Sequence, residues 1–256
     1  MNIILHLWIT IEKNIMILNK TLRNLSIATI ACFIGTTGIV NANEMDSNNT
    51  IVFTGYDDRE DADFAYVGVT HYLNNDMHSD GFVIRALASD SDYEYKTISG
   101  KTDADANSAE VMLGYQKVME SFVARGFIGV DYEDHDLSPD NRFDDNRGDT
   151  TGVKAQVELE TLFSSANYGS LLTSYSTAND RYFARLRAGH DFSGFVVGPE
   201  AIFLGDQEYN EQRIGAFLMV KKAIPVVLTV SAGYADPDTD RGDSSGYFSL
   251  EVSKSF

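Results

Sequence analysis

The sequence predicts an all-β protein, a closed antiparallel transmembrane β-barrel of about twelve strands behind an export signal. Three observations carry this. Runs of alternating apolar and polar residues fill 50–256 with no helical period among them. Charges at mid-strand sit on one face only, opposite an apolar row. The N-terminus is basic, then apolar, then small, as an exported chain requires.

The alternation is clearest from Phe195 to Leu218, two strands around a polar turn near Asp206 and Gln207. One face carries Val197, Pro199, Ala201 and Phe203, then Ile214, Ala216 and Leu218. The other carries Gly198 and Glu200, then Arg213, Gly215 and Phe217. A turn centred between Asp206 and Gln207 sets Glu200 directly opposite Arg213, within cross-strand reach. A carboxylate and a guanidinium at mid-strand imply a polar interior inside an apolar exterior.

The runs are 50–57, 62–73, 81–96, 107–119, 121–134, 150–163, 167–177, 181–192, 194–205, 210–222, 225–235 and 246–256. Val, Tyr, Phe and Thr dominate them, and Gly, Asp and Asn break them. Ile84 and Ala86 flank Arg85; Ala124, Gly126 and Val130 alternate with Arg125 and Asp131. Val153, Ala155, Val157 and Leu159 alternate with Lys154, Gln156, Glu158 and Glu160, and Ala184, Leu186 and Ala188 with Arg185 and Arg187. The second and seventh runs are half apolar on both faces. Acidic connections are expected at 97–106, 135–149 and 236–245, with short turns at the opposite end; 74–80 is long for such a turn. An even strand number puts both termini at the periplasmic end.

A soluble lipocalin-like barrel shows the same alternation turned inside out. The export signal, the unequal connections and the last strand favour the membrane form. That strand, Gly246 to Phe256, ends on an aromatic in phase with Phe248, Leu250 and Val252, with Lys254 interrupting the phase. Localisation in the bacterial outer membrane follows, with outer-membrane lipid as one partner.

Asn19-Lys20-Thr21-Leu22-Arg23 and the uncharged stretch from Leu25 to Val40 divide the chain into a signal peptide with N-terminal extension, 1–42, and a barrel domain, 43–256. Met16 is an alternative initiator to Met1. The formal charge is −18, from 38 acidic and 20 basic side chains. Cleavage after Ala42 removes Lys13, Lys20, Arg23 and Glu12 and leaves 17 − 37 = −20. Such a surface excludes nucleic acid as a partner. Cleavage also removes Cys32, the single cysteine, so the exported chain has no thiol chemistry.

The candidate site is an ion-pair cluster in the lumen, formed by Glu200, Arg213, Arg185, Arg187, Arg125, Asp131, Glu158 and Arg85, with Lys154, Glu110 and Glu160 on the same faces. Two readings stay open: an interior that satisfies its own charges, or a track for a polar or anionic solute. No catalytic residue is expected. The five histidines lack metalloprotease spacing, and no GxSxG is present. His71 with a nearby Ser or Thr is the one loose pair. The run from Asp236 to Asp243 alternates carboxylates but lacks the glycine and glutamate of a calcium loop. Neither metal nor cofactor is therefore expected.

A set of ordered motifs adds to this reading. They are Asp80-Gly81-Phe82 with Arg85, Leu113-Gly114-Tyr115-Gln116, Gly129-Val130-Asp131-Tyr132 with His135-Asp136-Leu137-Ser138-Pro139, and Arg147-Gly148 with Thr151-Gly152. Tyr175-Ser176-Thr177-Ala178, Ala184-Arg185-Leu186-Arg187 and Gly198-Pro199-Glu200-Ala201 with Gly205, Tyr209 and Arg213 follow. In order and spacing the chain from about Phe53 to Phe256 resembles the BcsS family, exported proteins associated with bacterial cellulose biosynthesis clusters. The Asp-rich stretch 141–149 departs from it. The resemblance implies a non-enzymatic accessory role in cellulose or exopolysaccharide biosynthesis and export, with that polymer and its export machinery as partners. The alternative is an outer-membrane enzyme acting on lipid or polysaccharide at the cell surface.

Overall fold

The computed structural model describes residues 48–97, 100–139, 144–162, 166–221, 225–237 and 243–256. The export signal expected at 1–42 lies outside them. Twelve strands follow one another: β1 (Thr50–Arg59), β2 (Ala62–Tyr72), β3 (Gly81–Thr97), β4 (Gly100–Val118), β5 (Phe122–Ser138) and β6 (Gly148–Thr161). Then come β7 (Asn167–Ser176), β8 (Tyr182–Asp191), β9 (Phe195–Gly205), β10 (Asn210–Val220), β11 (Val227–Pro237) and β12 (Ser245–Ser255). Each pairs antiparallel with its sequence neighbours, and β1 with β12 closes the barrel from Ile51↔Ser255 to Arg59↔Tyr247. Closure leaves no sheet edge inside the bilayer, where an unpaired backbone group is costly.

The apolar row of each strand faces outward. Phe82, Val111, Leu113, Ile128, Val153, Leu186, Phe203 and Ile214 are all exposed, Ile214 by 70%. Burying one such side chain is worth about 1.5–3 kcal/mol, so a continuous belt of them is stable against lipid and not against water. The barrel therefore spans a membrane. The two ambiguous strands resolve through register. Leu172 stands opposite Glu158 on one side and Arg185 on the other, so it faces the lumen with them. In β2, Tyr66 and Gly68 stand opposite Gly55 and Phe53.

Glycines let lumen aromatics lie flat on the wall. A Cβ on Gly68 would sit 2.3 Å from the Phe53 ring. One on Gly215 would sit 2.4 Å from both the Tyr247 hydroxyl and the Ala232 carbonyl oxygen.

The two ends of the barrel differ in strand length more than in loop length. β3, β4 and β5 run 17, 19 and 17 residues, against 10 or 11 in β7 to β12. The expected connection at 97–106 is mostly strand, since β4 begins at Gly100 and pairs with β3 up to Thr97↔Gly100. Acidic residues there escaped a strand reading because strands usually avoid aspartate. Asp105 among them stands on the outer face, in the cross-strand row Asp58↔Asp63↔Asp92↔Asp105↔Asp136 that runs across β1 to β5, and beyond it β3, β4 and β5 project.

The start of β1 and the end of β12 lie at the other end, where the backbone N–H of Asn49 donates to the Phe256 carbonyl (2.8 Å). The long turn 73–80 is there, and it folds inward. Gln116 Nε2 donates to the carbonyls of Met77 and Ser79, each at 2.9 Å, and Met77 packs on the core of Tyr72, Val83, Met112 and Phe127. The turn thus forms a floor over that cluster at this end of the lumen. Asp80 fastens its end through the Lys117 ammonium and the Val118 N–H (2.8 Å), and these bonds hold its carboxyl below the usual range.

Candidate functional site

The lumen charges come from strand faces fixed by the apolar rows, so every charged residue read as interior is carried on the inner face. The structure divides the eight expected members into four groups.

In the first, Arg85 on β3 reaches over β4 and β5 to Glu158 on β6, with both Nη atoms on the two carboxylate oxygens. Its Nε donates to Thr70 Oγ1 (3.0 Å), and its guanidinium lies over the Phe127 ring at 4.3 Å. Arg125 approaches the same carboxylate at 3.4 Å and Glu160 at 3.6 Å, while its Nε donates to Gln116 Oε1 (2.8 Å). Gln156 Nε2 donates to Glu158 as well (2.7 Å). Lys154 and Glu110 pair nearby.

The second group centres on Glu200. Arg187, directly across the β8–β9 ladder, donates through Nε to Glu200 Oε2. Tyr247 Oη donates to Oε1 (3.0 Å), and Ser231 Oγ to Oε2 (3.3 Å). Arg187 then reaches across β9, β10 and β11 to Glu251 on β12, with Nη2 at 3.0 Å and Nη1 at 3.3 Å. Arg185 binds the same Glu251. The side chains of Arg187 and Glu200 are 3% and 0% exposed, so this pair is dry. A desolvated carboxylate is tolerable there because three donors satisfy it.

Arg213 heads the third group, apart from Glu200. The β9–β10 register pairs Glu200 with Gly215 and Arg213 with Ile202, two residues from the expected alignment. The turn is Asp206 to Tyr209, with the Asp206 carboxylate accepting the N–H groups of Glu208 (2.8 Å) and Tyr209 (3.0 Å). That cap moves the turn centre one position along the chain, so paired residues shift by two and keep their faces. Arg213 pairs instead with Glu211 on its own strand and with Asp57 on β1 (2.6 Å), across β11 and β12. Arg59 meets the same Glu211 at 3.1 Å.

Asp131 stands apart as well. It accepts from Ser176 Oγ (2.8 Å) and lies 3.5 Å from Arg181, which also contacts Glu133 at 2.6 Å. His135 lies between Glu133 (3.3 Å) and the Tyr93 hydroxyl (3.0 Å). The loose pair at His71 is formed with Thr50, at 2.9 Å, on the outward face at the end where β1 begins. Ser176, held by Asp131 and by the Ala178 N–H (3.0 Å), makes no bond to a histidine among the described residues. Among the described residues, no group of three or more His, Cys, Asp or Glu is arranged to hold a metal ion. The centre of the calcium-like run, 238–242, lies outside them.

Asp57, Arg59, Glu211, Ser231, Tyr247 and Glu251 were not singled out from the sequence. Glu251 was legible, because it lies on the face opposite Phe248, Leu250 and Val252. Its role was not, since its arginines sit four strands away in the barrel.

The fold is shared with solved outer-membrane barrels. The COG4313 outer membrane channel from Pseudomonas putida F1 superposes with a TM-score of 0.53 at 10% identity, covering 86% of this chain and 100% of that one. A KdgM porin (TM-score 0.49, 10% identity, 80% and 99% covered) and LpxR from Salmonella typhimurium (0.48, 12%, 81% and 100%) are looser matches. At such identities the likeness is one of fold. No curated protein matches the sequence. The profile of one family, described as cellulose biosynthesis protein BcsS, matches residues 51–256, from the first strand to the last residue of the chain. This outer-membrane barrel belongs to the BcsS family of cellulose biosynthesis proteins.

Proposed function

We propose that the protein is a non-enzymatic accessory in the export or anchoring of cellulose or a related exopolysaccharide, and that the polymer does not run through its lumen. Family membership supports the cellulose context. The observation that carries the rest is the set of ion pairs thrown across the lumen. Arg85–Glu158 joins strands three apart, Arg213–Asp57 does the same, and the arginines of β8 reach Glu251 four strands on. These chords subdivide the interior, and a polysaccharide chain could pass only by breaking ion pairs. The protein then acts through its position in the outer membrane, its projecting sheet and its export partners. Residues 1–42 direct export and are removed.

Deleting the gene and measuring secreted cellulose tests the role. Reduced or mislocalised polymer, restored by the wild-type gene, is expected; unchanged secretion would refute it. N-terminal sequencing of the protein from outer membranes should start at residue 43.

A further inference from the structure

We infer that the lumen beside Arg185 and Tyr66 is a binding site for a small neutral saccharide. The inference deepens the accessory role and rests on it for the source of the ligand.

Two arginines on one strand, two residues apart, behave differently. Arg187 uses all three guanidinium nitrogens, on Glu200, Ser231 and Glu251, and is closed off from solvent. Among the described residues Arg185 makes a single hydrogen bond, from Nη1 to Glu251. Its Nε and Nη2 have no partner among the described residues. Both Arg185 and Glu251 face inward at mid-barrel, yet their side chains keep 20% and 21% exposure. An inward residue can be exposed only to the lumen itself, so the space beside this pair is open. On β2, Tyr66 carries the second free group. Its hydroxyl makes no hydrogen bond among the described residues, although Glu251, Arg185 and Asp57 all act on it electrostatically.

The chemistry selects the ligand. Arg185 offers donors, Glu251 offers acceptor capacity, and the Tyr66 hydroxyl can do both. A ligand whose own groups donate and accept, a polyol, matches all three. Charge gives an anion no advantage: Arg185, Arg187, Glu200 and Glu251 sum to zero, and the nearby Asp57 carboxylate is paired with Arg213. The rings of Phe53 and Tyr66, with centroids 6.2 Å apart, supply apolar surface for the C–H face of a pyranose. The occupant is a short saccharide, since the ion pairs across the lumen bar a threaded chain.

Titration calorimetry on the full protein, purified from outer membranes in detergent, tests this with cellobiose, cellotetraose and glucuronate as probes. The neutral sugars should bind. Tyr66→Phe and Arg185→Lys should each weaken them about tenfold, one lost hydrogen bond's worth, and Ser89→Ala should not. Heat-modifiable migration on gels certifies that each variant is folded. Absence of cellobiose and cellotetraose binding to folded wild type, tighter binding of glucuronate, or wild-type affinity in folded Tyr66→Phe would each overturn the site. Binding that survives while gene deletion leaves cellulose secretion unchanged would overturn the cellulose role and leave the site standing. Loss of secretion without sugar binding would do the reverse.

Discussion

Glu200 is bound by Arg187, its direct neighbour across the β8–β9 ladder, and Arg213 is engaged elsewhere, by Glu211 and Asp57. The pair is fully desolvated. Removing Arg187 leaves the buried Glu200 carboxylate with only the neutral donors of Tyr247 and Ser231, so Arg187→Ala should cost about 3 kcal/mol. Glu200→Ala should cost less, because Glu251 still holds Arg187 through two bonds. Joint replacement by Met and Gln should cost less than Arg187→Ala alone. Urea unfolding in detergent micelles reads all three. Arg213→Ala should leave the response to Glu200→Ala unchanged, and a coupling between those two positions would contradict the observed register.

A second prediction concerns Gly68 and Phe53. A Cβ at Gly68 meets only the Phe53 ring among its nearest atoms, at 2.3, 2.6 and 2.9 Å. Gly68→Ala should therefore destabilise the barrel by about 1–3 kcal/mol. In a Phe53→Ala background the same change should cost much less, a non-additivity that a double-mutant cycle measures. Gly215→Ala should show no such rescue by Tyr247→Ala, because the Ala232 carbonyl also lies 2.4 Å away.

The strands were legible because their period is two and their outer faces are apolar; all twelve lie where alternation puts them. Parity also settled which charges face inward, since a register shift of two preserves it. Partners were not legible. Glu200 and Arg213 share a face, but pairing depends on where the turn is centred, and the Asp206 cap moved it. Chords such as Arg185–Glu251, 66 residues apart, depend on barrel closure, and no local pattern encodes them. The full length of β3 was read, but the first residues of β4 and the last of β5 were missed because their outer face carries aspartates.

Those aspartates give a third prediction. Asp105 stands between Asp92 and Asp136, and like charges directly opposite on adjacent strands repel. Asp105→Asn should stabilise the projecting sheet by roughly 0.2–1 kcal/mol at low ionic strength. The gain should fade as salt screens the row. Hydrogen exchange of β4 amides between Gly100 and Asn107, at two salt concentrations, reads both effects. Faster exchange in the variant would show that the carboxylate is held by an attraction stronger than this repulsion.

The turn 73–80 should loosen in acid. The Asp80 carboxyl is held below its ordinary value of 3.8 by Lys117 and the Val118 N–H. A depressed carboxyl contributes stability that is fully present above the unfolded value and lost as pH falls through the folded one. Protection of the Val118 amide should therefore be flat from neutral pH to about 5 and fall below about 4. Asp80→Asn should remove that acid limb. An unchanged profile in the variant would assign the acid sensitivity to another group.

The last prediction tests whether the chords close the lumen. Arg85 and Glu158 bridge β3 and β6 above the floor made by the turn 73–80, and Arg125 braces the same carboxylate at 3.4 Å. Removing Arg85 alone would leave Glu158 with Arg125 and Gln156, so the pair must go together to clear the cross-section. Joint replacement by alanine also avoids a stranded charge and should be better tolerated than either single change. In planar bilayers, Arg85→Ala/Glu158→Ala should raise single-channel conductance several-fold over a wild type that conducts little. Ser89→Ala, on the same face of β3 but outside the ion pairs, should not. If wild type already passes oligosaccharides as an open porin does in liposome swelling, the chords part freely and a conduit role replaces the accessory one. If wild type is tight and the double variant is equally tight, the turn floor, fastened by Gln116 and Met77, is the barrier, and Gln116→Ala becomes the variant that opens it.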